Sequence, residues 1–403
     1  MPITNRSIAV IIAGFFSVFT AFAVRYSYGM LLPEMLPSLG TTKTQAGVIF
    51  AFYFVAYTVG SPVLGLLSDR YSVRVILTLF TAVLGAGTFL MAYTSSVLTA
   101  SLFFTLSGIG HSACWAPVVS LDQRWVSDKR RGMALAFTDL GSASAIMFWS
   151  FAIPFIVSTS GWRKGWTSLG IFAFIVALLN LLLIRNRPGA ESQAQGPAPV
   201  KPVHESVIAT YGSLLHDPNL WILGISYLLV GFTVIIPFTF LCTFATEDLH
   251  IAYDTSTRLL SILAVAGIVG KLSLGYLSDI FGRARIMMIC VAFLGSGCLG
   301  MAYSDGFSIL AIFTALFGLG YGSVWPIYAA AAPDYFPRRH SGSVVGLWTL
   351  YLGAGSVVSP VLSGWTIDVT GTYKWAFIIG VLSAIASLML LVPMVKRKPG
   401  KSP

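Results

Sequence analysis

Four ionisable side chains interrupt long apolar runs of this sequence: Arg25, His111, Asp139 and Lys271. A charge within a bilayer is expensive, so it faces a bundle interior or a water-filled cavity. Arg25 lies eight residues before Pro33, deep in its run, and shares a helical face with Ser17 and Tyr28. Its planar guanidinium can grip a carboxylate through two parallel hydrogen bonds. The alternative uses of that charge are snorkelling toward the outer surface and pairing with Glu34. Lys271 precedes Asp279 by eight residues, a depth of about 12 Å at about 1.5 Å per residue. Its helical neighbours Ala264, Gly267, Gly275 and Ser278 are small, which leaves room for a ligand or a close-packed helix. Lys271 therefore contacts an anionic substrate or belongs to a structural ion pair. Asp139 is the one carboxylate read inside a run, and it suits a proton carrier or a counter-ion. His111 suits proton coupling, because an imidazole titrates near neutrality, or a hydrogen-bonding place in the core.

The elements that position these groups follow from composition. The chain has 403 residues, 56% of them apolar and 10% charged, whereas soluble domains carry roughly a quarter charged residues. That excludes a soluble, disordered or disulfide-scaffold protein and leaves a polytopic membrane protein. A spanning helix needs about 20 apolar residues, a barrel strand only about 10 alternating ones. Twelve long runs that do not alternate occur, at 8–33, 45–67, 74–94, 97–120, 133–157, 165–185, 220–244, 259–278, 285–303, 307–331, 343–364 and 375–395. The opening MPITNRSIAVIIAGFF has a signal peptide's charged and apolar regions. Its run is too long and lacks a small-residue cleavage site, so it reads as the first span. Cys114, Cys242, Cys290 and Cys298 fall inside runs, and no Cys/His spacing predicts a metal site or disulfide framework.

With both termini cytoplasmic, 18 of the 25 basic residues fall on inner loops and tails and 5 on outer loops. The net charge of +10 then reflects the positive-inside rule, not a surface for nucleic acid. The tail KRKPGK (396–401) is suited to anionic lipid headgroups, although topology alone explains its charge.

Residues 186–206 are rich in Pro, Gly, Ala and Gln and read as a flexible linker. The expected division is a six-helix bundle over 1–185, a cytoplasmic linker over 186–219 and a second bundle over 220–403. The halves repeat at an offset of 210. GLLSDRYSVR (65–74) recurs as GYLSDIFGRAR (275–285), and GIGHSACW (108–115) as GLGYGSVW (318–325). Duplication in a helical membrane protein points to a transporter with its site between the halves. It also pairs His111 with Tyr321.

On these motifs the whole chain resembles the major facilitator superfamily. Gly65, Asp69, Arg70 and Arg74 fit that family's loop signature after the second helix, with Ser72 where Gly is usual. Gly275, Asp279, Gly282 and Arg283 form the second copy, with Ile280 in place of the Arg. The resemblance implies an all-α membrane fold of twelve transmembrane helices in two pseudo-symmetric six-helix bundles. It gives Asp69, Arg70, Arg74, Asp279 and Arg283 a gating role at helix ends. No basic residue precedes Gly108 on the fourth helix, unlike antiporter-type drug exporters. DQRWVSDKRRGMALAFTDLG (122–141) and HDPNLWIL (216–223) resemble the branch containing the oxalate/formate antiporters and the monocarboxylate transporters. There a basic residue at the position of Lys271 contacts the carboxylate. The oxalate exchangers carry a Lys where Tyr351 stands and nothing like Arg25, which points away from oxalate. The fifth and eighth helices neighbour one another in this fold, so Asp139 can meet Lys271.

The expected function is alternating-access transport of small organic anions, monocarboxylates of the lactate or pyruvate kind first. Coupling is to a co-transported proton or to anion exchange rather than to sodium. Arg25, Lys271, Tyr28, His111, Tyr321, Trp348 and Tyr351 are the expected substrate contacts, and Asp139 and His111 the expected proton couplers. Tyr26, Trp115 and Trp325 extend the aromatic set that lines a cavity or simply packs. A multidrug or neutral-solute carrier is the alternative within transport. An intramembrane enzyme would need a nucleophile–base set or metal cluster within the spans, and a receptor would ordinarily add a folded soluble domain. No cofactor or metal is expected. The expected location is the plasma membrane, the inner membrane of a prokaryote, as a monomer.

Overall fold

Helices dominate because a bilayer offers no water to solvate backbone groups, so each span must satisfy its own. The computed structural model describes residues 5–126, 131–185, 214–337 and 340–396. The expected linker up to residue 213 and the basic tail beyond Lys396 lie outside the described residues. Thirteen helices are described: α1 Asn5–Leu39, α2 Lys43–Arg70, α3 Val73–Met91, α4 Val97–His111, α5 Ala116–Trp125, α6 Arg131–Ser160, α7 Trp162–Leu183, α8 Pro218–Glu247, α9 Tyr253–Phe281, α10 Arg283–Ala302, α11 Phe307–Tyr335, α12 Ser341–Thr370 and α13 Lys374–Lys396. Twelve helical segments are long and apolar enough to cross a membrane, with α4 and α5 sharing the fourth, Val97–Asp122. That span is broken at 112–115, a difference from the continuous run read in the sequence. There Cys114 N–H bonds back three residues to the His111 carbonyl, and α5 restarts on a proline in its first turn.

Chain reversals are short and chemically marked. Thr42 and Gln45 form a reciprocal cap at the start of α2. Gly282, at φ 90°, is the single residue separating α9 from α10; a side chain there would be strained.

The two sets of six spans are built alike. Within the first, α1 packs on α6 and α7, α2 on α4, and α3 on α4 and α7. Within the second, α8 packs on α12 and α13, α9 on α11, and α10 on α11 and α13. The repeat extends to single contacts: Gly108 rests on Tyr53 and Ala56, and Gly318 on Leu263 and Ala266. Small residues let helix backbones approach closely where lipid gives no hydrophobic drive for helix association. The molecule's exterior is apolar, with Leu66, Leu102, Phe155, Leu272 and Met389 exposed.

The halves meet where α1 packs on α8, α2 on α12 and α6 on α9. Polar contacts concentrate at the end opposite the chain termini. Asp368 of α12 accepts from the N–H groups of Lys43 (3.0 Å) and Thr44 (2.8 Å) and from the Thr44 hydroxyl (2.5 Å). A carboxylate from one half thus caps a helix of the other, where the α2 dipole favours negative charge. Lys43 Nζ pairs with Glu247 at 2.7 Å, and the Tyr253 hydroxyl donates to the Met30 carbonyl at 2.8 Å. Asp368→Ala removes three inter-half hydrogen bonds from a solvent-exposed cap, a loss of about 1–2 kcal/mol. Spin labels at positions 41 and 372 are expected to gain a longer-distance population in this variant. An unchanged distance distribution would mean that the cap does not hold this end shut.

Candidate functional site

Arg25 sits midway along α1, 6% exposed, inside a ring of aromatic side chains. Its Cζ is 4.2 Å from the Tyr57 ring centroid, 5.1 Å from Phe54, 5.2 Å from Phe22 and 5.7 Å from Tyr53. Cation–π attraction to these rings offsets part of the cost of burying the charge. Its Nε and Nη2 are both buried and have no hydrogen-bond partner. These atoms carry the two parallel N–H groups along one edge of the guanidinium, the edge that matches a carboxylate. Glu34 is exposed, and among the described residues no ion pair joins it to Arg25.

His111 ends α4 at the break in the fourth span and is buried. Its Nδ1 shares a short hydrogen bond with the Tyr53 hydroxyl. The imidazole edges against Tyr57, with centroids 4.8 Å apart, and lies 5.4 Å from Phe22. His111 therefore supports the rings around Arg25.

Lys271 of α9 and Asp139 of α6 form an ion pair across the two halves, with side chains 32% and 28% exposed. Deeper in the same interface Ser150 and Ser261 hydrogen-bond, and Thr257 donates to the Ser150 carbonyl at 2.8 Å. The pair thus stands at the half-exposed margin of a zipped α6–α9 seam. A second link is made by the Tyr26 and Tyr321 hydroxyls, 2.9 Å apart. Tyr26 stacks on Phe238 at 4.0 Å, and Tyr321 meets Trp325 edge to face at 6.2 Å. Tyr26 directly follows Arg25 on α1, so this inter-half link stands next to the Arg25 ring of aromatics.

Other expected contacts are not brought there. Tyr28 stacks on Phe50 and Phe104 at 4.8 and 5.0 Å and donates to the Ala46 carbonyl, which turns it into the core of its own half. Trp348 is buried against Tyr328 and Phe336, and its Nε1 donates to the Leu220 carbonyl. Tyr351 packs on Trp221 and over Gly224 within its own half. Trp115 precedes α5 and is exposed.

The signature loops hold helix ends within each half. Arg74 donates from Nε and Nη2 to the Leu181 carbonyl near the end of α7. Arg283 bonds Asp334 at 2.8 Å and lies 3.7 Å from Asp279, which is largely exposed. Arg70 is exposed at the end of α2, and the side chain of Asp69 lies outside the described residues.

The reading that Asp139 is the one carboxylate inside a span needs correction. Asp122, at the end of the fourth span, is 1% exposed. Its Oδ2 accepts from the Thr138 hydroxyl at 2.8 Å, while Oδ1 has no partner. Helix α5 runs past the last apolar residue of the sequence run, so Asp122 is carried inward. The rings of Tyr53, Phe54 and Tyr57 were also missed, although their i, i+1, i+4 spacing gives one aromatic face on α2. Among the described residues no group of three or more His, Cys, Asp or Glu side chains is arranged to hold a metal, and the four cysteines are free and buried.

The family model described as "Major Facilitator Superfamily" matches residues 14–269 and 224–403. Monocarboxylate transporter 12-B of Danio rerio is 24% identical over 363 residues, covering 82% of this chain and 75% of that protein. The hexuronate transporter of Bacillus subtilis (strain 168) is 20% identical, covering 91% and 90%. Among solved structures, a bacterial homologue of the human lysosomal transporter Spinster, inward-facing and unoccupied, superposes with a TM-score of 0.77 at 16% identity, covering 98% and 96%. Twelve membrane-capable helices, a twofold-repeated bundle and a family match across both halves lead to one conclusion: the chain belongs to the major facilitator superfamily of membrane transporters.

Proposed function

We propose that the protein carries small organic anions, monocarboxylates above all, by alternating access between its two halves. The observation that carries this reading is the edge of Arg25. Two adjacent buried N–H donors without partners are an uncommon expense in a native core, and a carboxylate satisfies both at once. The second cation, Lys271, is already neutralised by Asp139. Counted together, Arg25, Lys271 and Asp139 carry a single positive charge, which one monoanion cancels. Cationic drugs are disfavoured by the same charge. A relative named for monocarboxylates supports the reading.

Asp139 is the proposed proton carrier. A proton there frees Lys271 and loosens the seam between α6 and α9, linking anion, proton and conformation. His111 is the weaker candidate for coupling, because its Nδ1 is engaged by Tyr53. The bodies that move are residues 1–185 and 220–403, joined by 186–219. With both termini cytoplasmic in a plasma membrane, prokaryotic inner membrane included, the capped end is the outer one. The protein acts as a monomer embedded in membrane lipid.

The test is uptake into proteoliposomes in sodium-free buffer across a panel of labelled carboxylates, with and without an inward proton gradient. Uptake is expected to rise with the gradient or with a carboxylate preloaded inside. Uptake of a neutral solute with no carboxylate flux under either condition would overturn the assignment.

A further inference from the structure

Two adjoining hollows run along α6 beside its seam with α9, toward the end opposite the chain termini. The first, about 500 Å³, is lined on α6 by Phe151, Phe155 and Ser158 and on α9 by Asp254 and Arg258. The second, about 450 Å³, continues along α6 past Met147 and Phe148 to Ser144 and shares Phe151 and Phe155 with the first. Positions 144, 148, 151, 155 and 158 recur at three- and four-residue steps, so they stripe one helical face. Phe148, Phe151 and Phe155 are exposed on it. The groove is therefore apolar along its length and charged at one end. We infer that it binds one phospholipid with an ethanolamine headgroup, its acyl chain on the α6 rings and its head on Asp254 and Arg258.

Depth and charge both fit. Helix α9 has 29 residues, about 43 Å at about 1.5 Å per residue, so it overshoots a hydrocarbon core of about 30 Å by roughly 6–7 Å at each end. Arg258 lies five residues into α9, about 7.5 Å along its axis, where headgroup meets hydrocarbon. Its Nη2 bonds Asp254 Oδ2 at 2.8 Å, and both side chains are about half exposed. An exposed pair of this kind is weakly held, and among the described residues Arg258 makes no other side-chain hydrogen bond. Its remaining N–H groups can take a phosphate, while Asp254 accepts from the ammonium. The pair has no net charge, so a zwitterion complements it, whereas an anionic headgroup meets repulsion from Asp254. A choline headgroup has no N–H to donate. The neighbouring Thr257 donates to the Ser150 carbonyl across the halves at 2.8 Å. The lipid thus has its chain on one half and its head on the other, and it favours the arrangement in which this seam is shut.

The test is native mass spectrometry of the purified full-length protein, titrated with phosphatidylethanolamine, phosphatidylcholine and phosphatidylglycerol of identical chains. The wild type is expected to bind one phosphatidylethanolamine at least fivefold more tightly than either of the others. Arg258→Ala should erase that preference, and Asp254→Ala should turn it toward phosphatidylglycerol, because an unopposed cation then remains. Both side chains are half exposed, so neither substitution is expected to unfold the protein. In nanodiscs, spin labels at 41 and 372 should show the shorter distance at least twofold more often in phosphatidylethanolamine than in phosphatidylcholine, and Arg258→Ala should remove the difference. Equal binding of all three lipids by the wild type would reduce the groove to ordinary bilayer contact and overturn the inference. So would preferred binding of phosphatidylglycerol by the wild type, or an ethanolamine preference that survives Arg258→Ala.

Discussion

Arg25→Lys lowers the initial rate of carboxylate uptake in proteoliposomes at least thirtyfold, and Arg25→Gln abolishes it. The lysine keeps the charge, so the difference measures geometry. Two parallel N–H donors along one guanidinium edge become a single ammonium on a shorter stem, and the match to both carboxylate oxygens is lost. A hydrogen bond to a charged group contributes about 1.5–3 kcal/mol, so losing one is a factor of roughly 10–150. The lysine also loses the close cation–π approach of the guanidinium to Tyr57, 4.2 Å from the ring centroid. Glutamine removes the charge as well, leaving nothing to offset desolvation of the anion. Circular dichroism and melting of each purified variant separate lost binding from lost fold. Replacing the buried charge is not expected to unfold the protein, because no partner carboxylate is left exposed by its removal. Uptake by Arg25→Lys within threefold of wild type would reduce Arg25 to a packing residue and with it the proposed carboxylate grip.

Much of this arrangement was legible because membrane burial makes charge conspicuous. Arg25, Asp139 and Lys271 stood out as charges inside apolar runs, and spacing alone placed Arg25 and Lys271 deep within theirs. The pairing of Asp139 with Lys271 came from a resemblance that put their helices side by side, and the ion pair is present. The repeat at 210 residues was equally readable, since glycines at helix crossings tolerate no side chain, and Gly108 and Gly318 occupy equivalent crossings. Aromatic residues were harder. In a bundle, apolar faces point both to lipid and to neighbouring helices, so hydrophobic periodicity does not tell a cavity wall from core. Tyr28 lies three residues from Arg25 and near its face, yet a stack of Phe50 and Phe104 draws it into its own half. Tyr57 carries no charge to mark it and became visible only when α2 packed beside α1. Asp122 was missed for a different reason. A hydropathy run ends where apolar side chains end, whereas burial ends where packing ends.

The second large effect belongs to the inter-half ion pair. Lys271→Gln should reduce carboxylate uptake at least a hundredfold while the protein still folds and inserts. The substitution keeps most of the side-chain volume but leaves the cluster of Arg25, position 271 and Asp139 with no net charge. A monocarboxylate then enters a site that no longer neutralises it, and Asp139 keeps a half-buried carboxylate without its cation, which is costlier than removing both partners. Asp139→Asn has the opposite character. It frees Lys271, so an anion still binds, but the group proposed to carry the proton is gone and uptake should cease to respond to a pH gradient. The double variant Lys271→Gln, Asp139→Asn separates the two roles. If the pair is only structural, removing both charges restores gradient-driven uptake, because no unpaired charge remains in the α6–α9 seam. If the pair couples proton to anion, the double variant regains stability and Arg25-dependent binding yet stays indifferent to pH. Melting temperature, anion binding in detergent and gradient-driven uptake are read on the same three preparations. Gradient-driven uptake at wild-type rate in the double variant would assign Lys271 and Asp139 to the framework and move the proton to another group, with the buried carboxylate of Asp122 next to be tested.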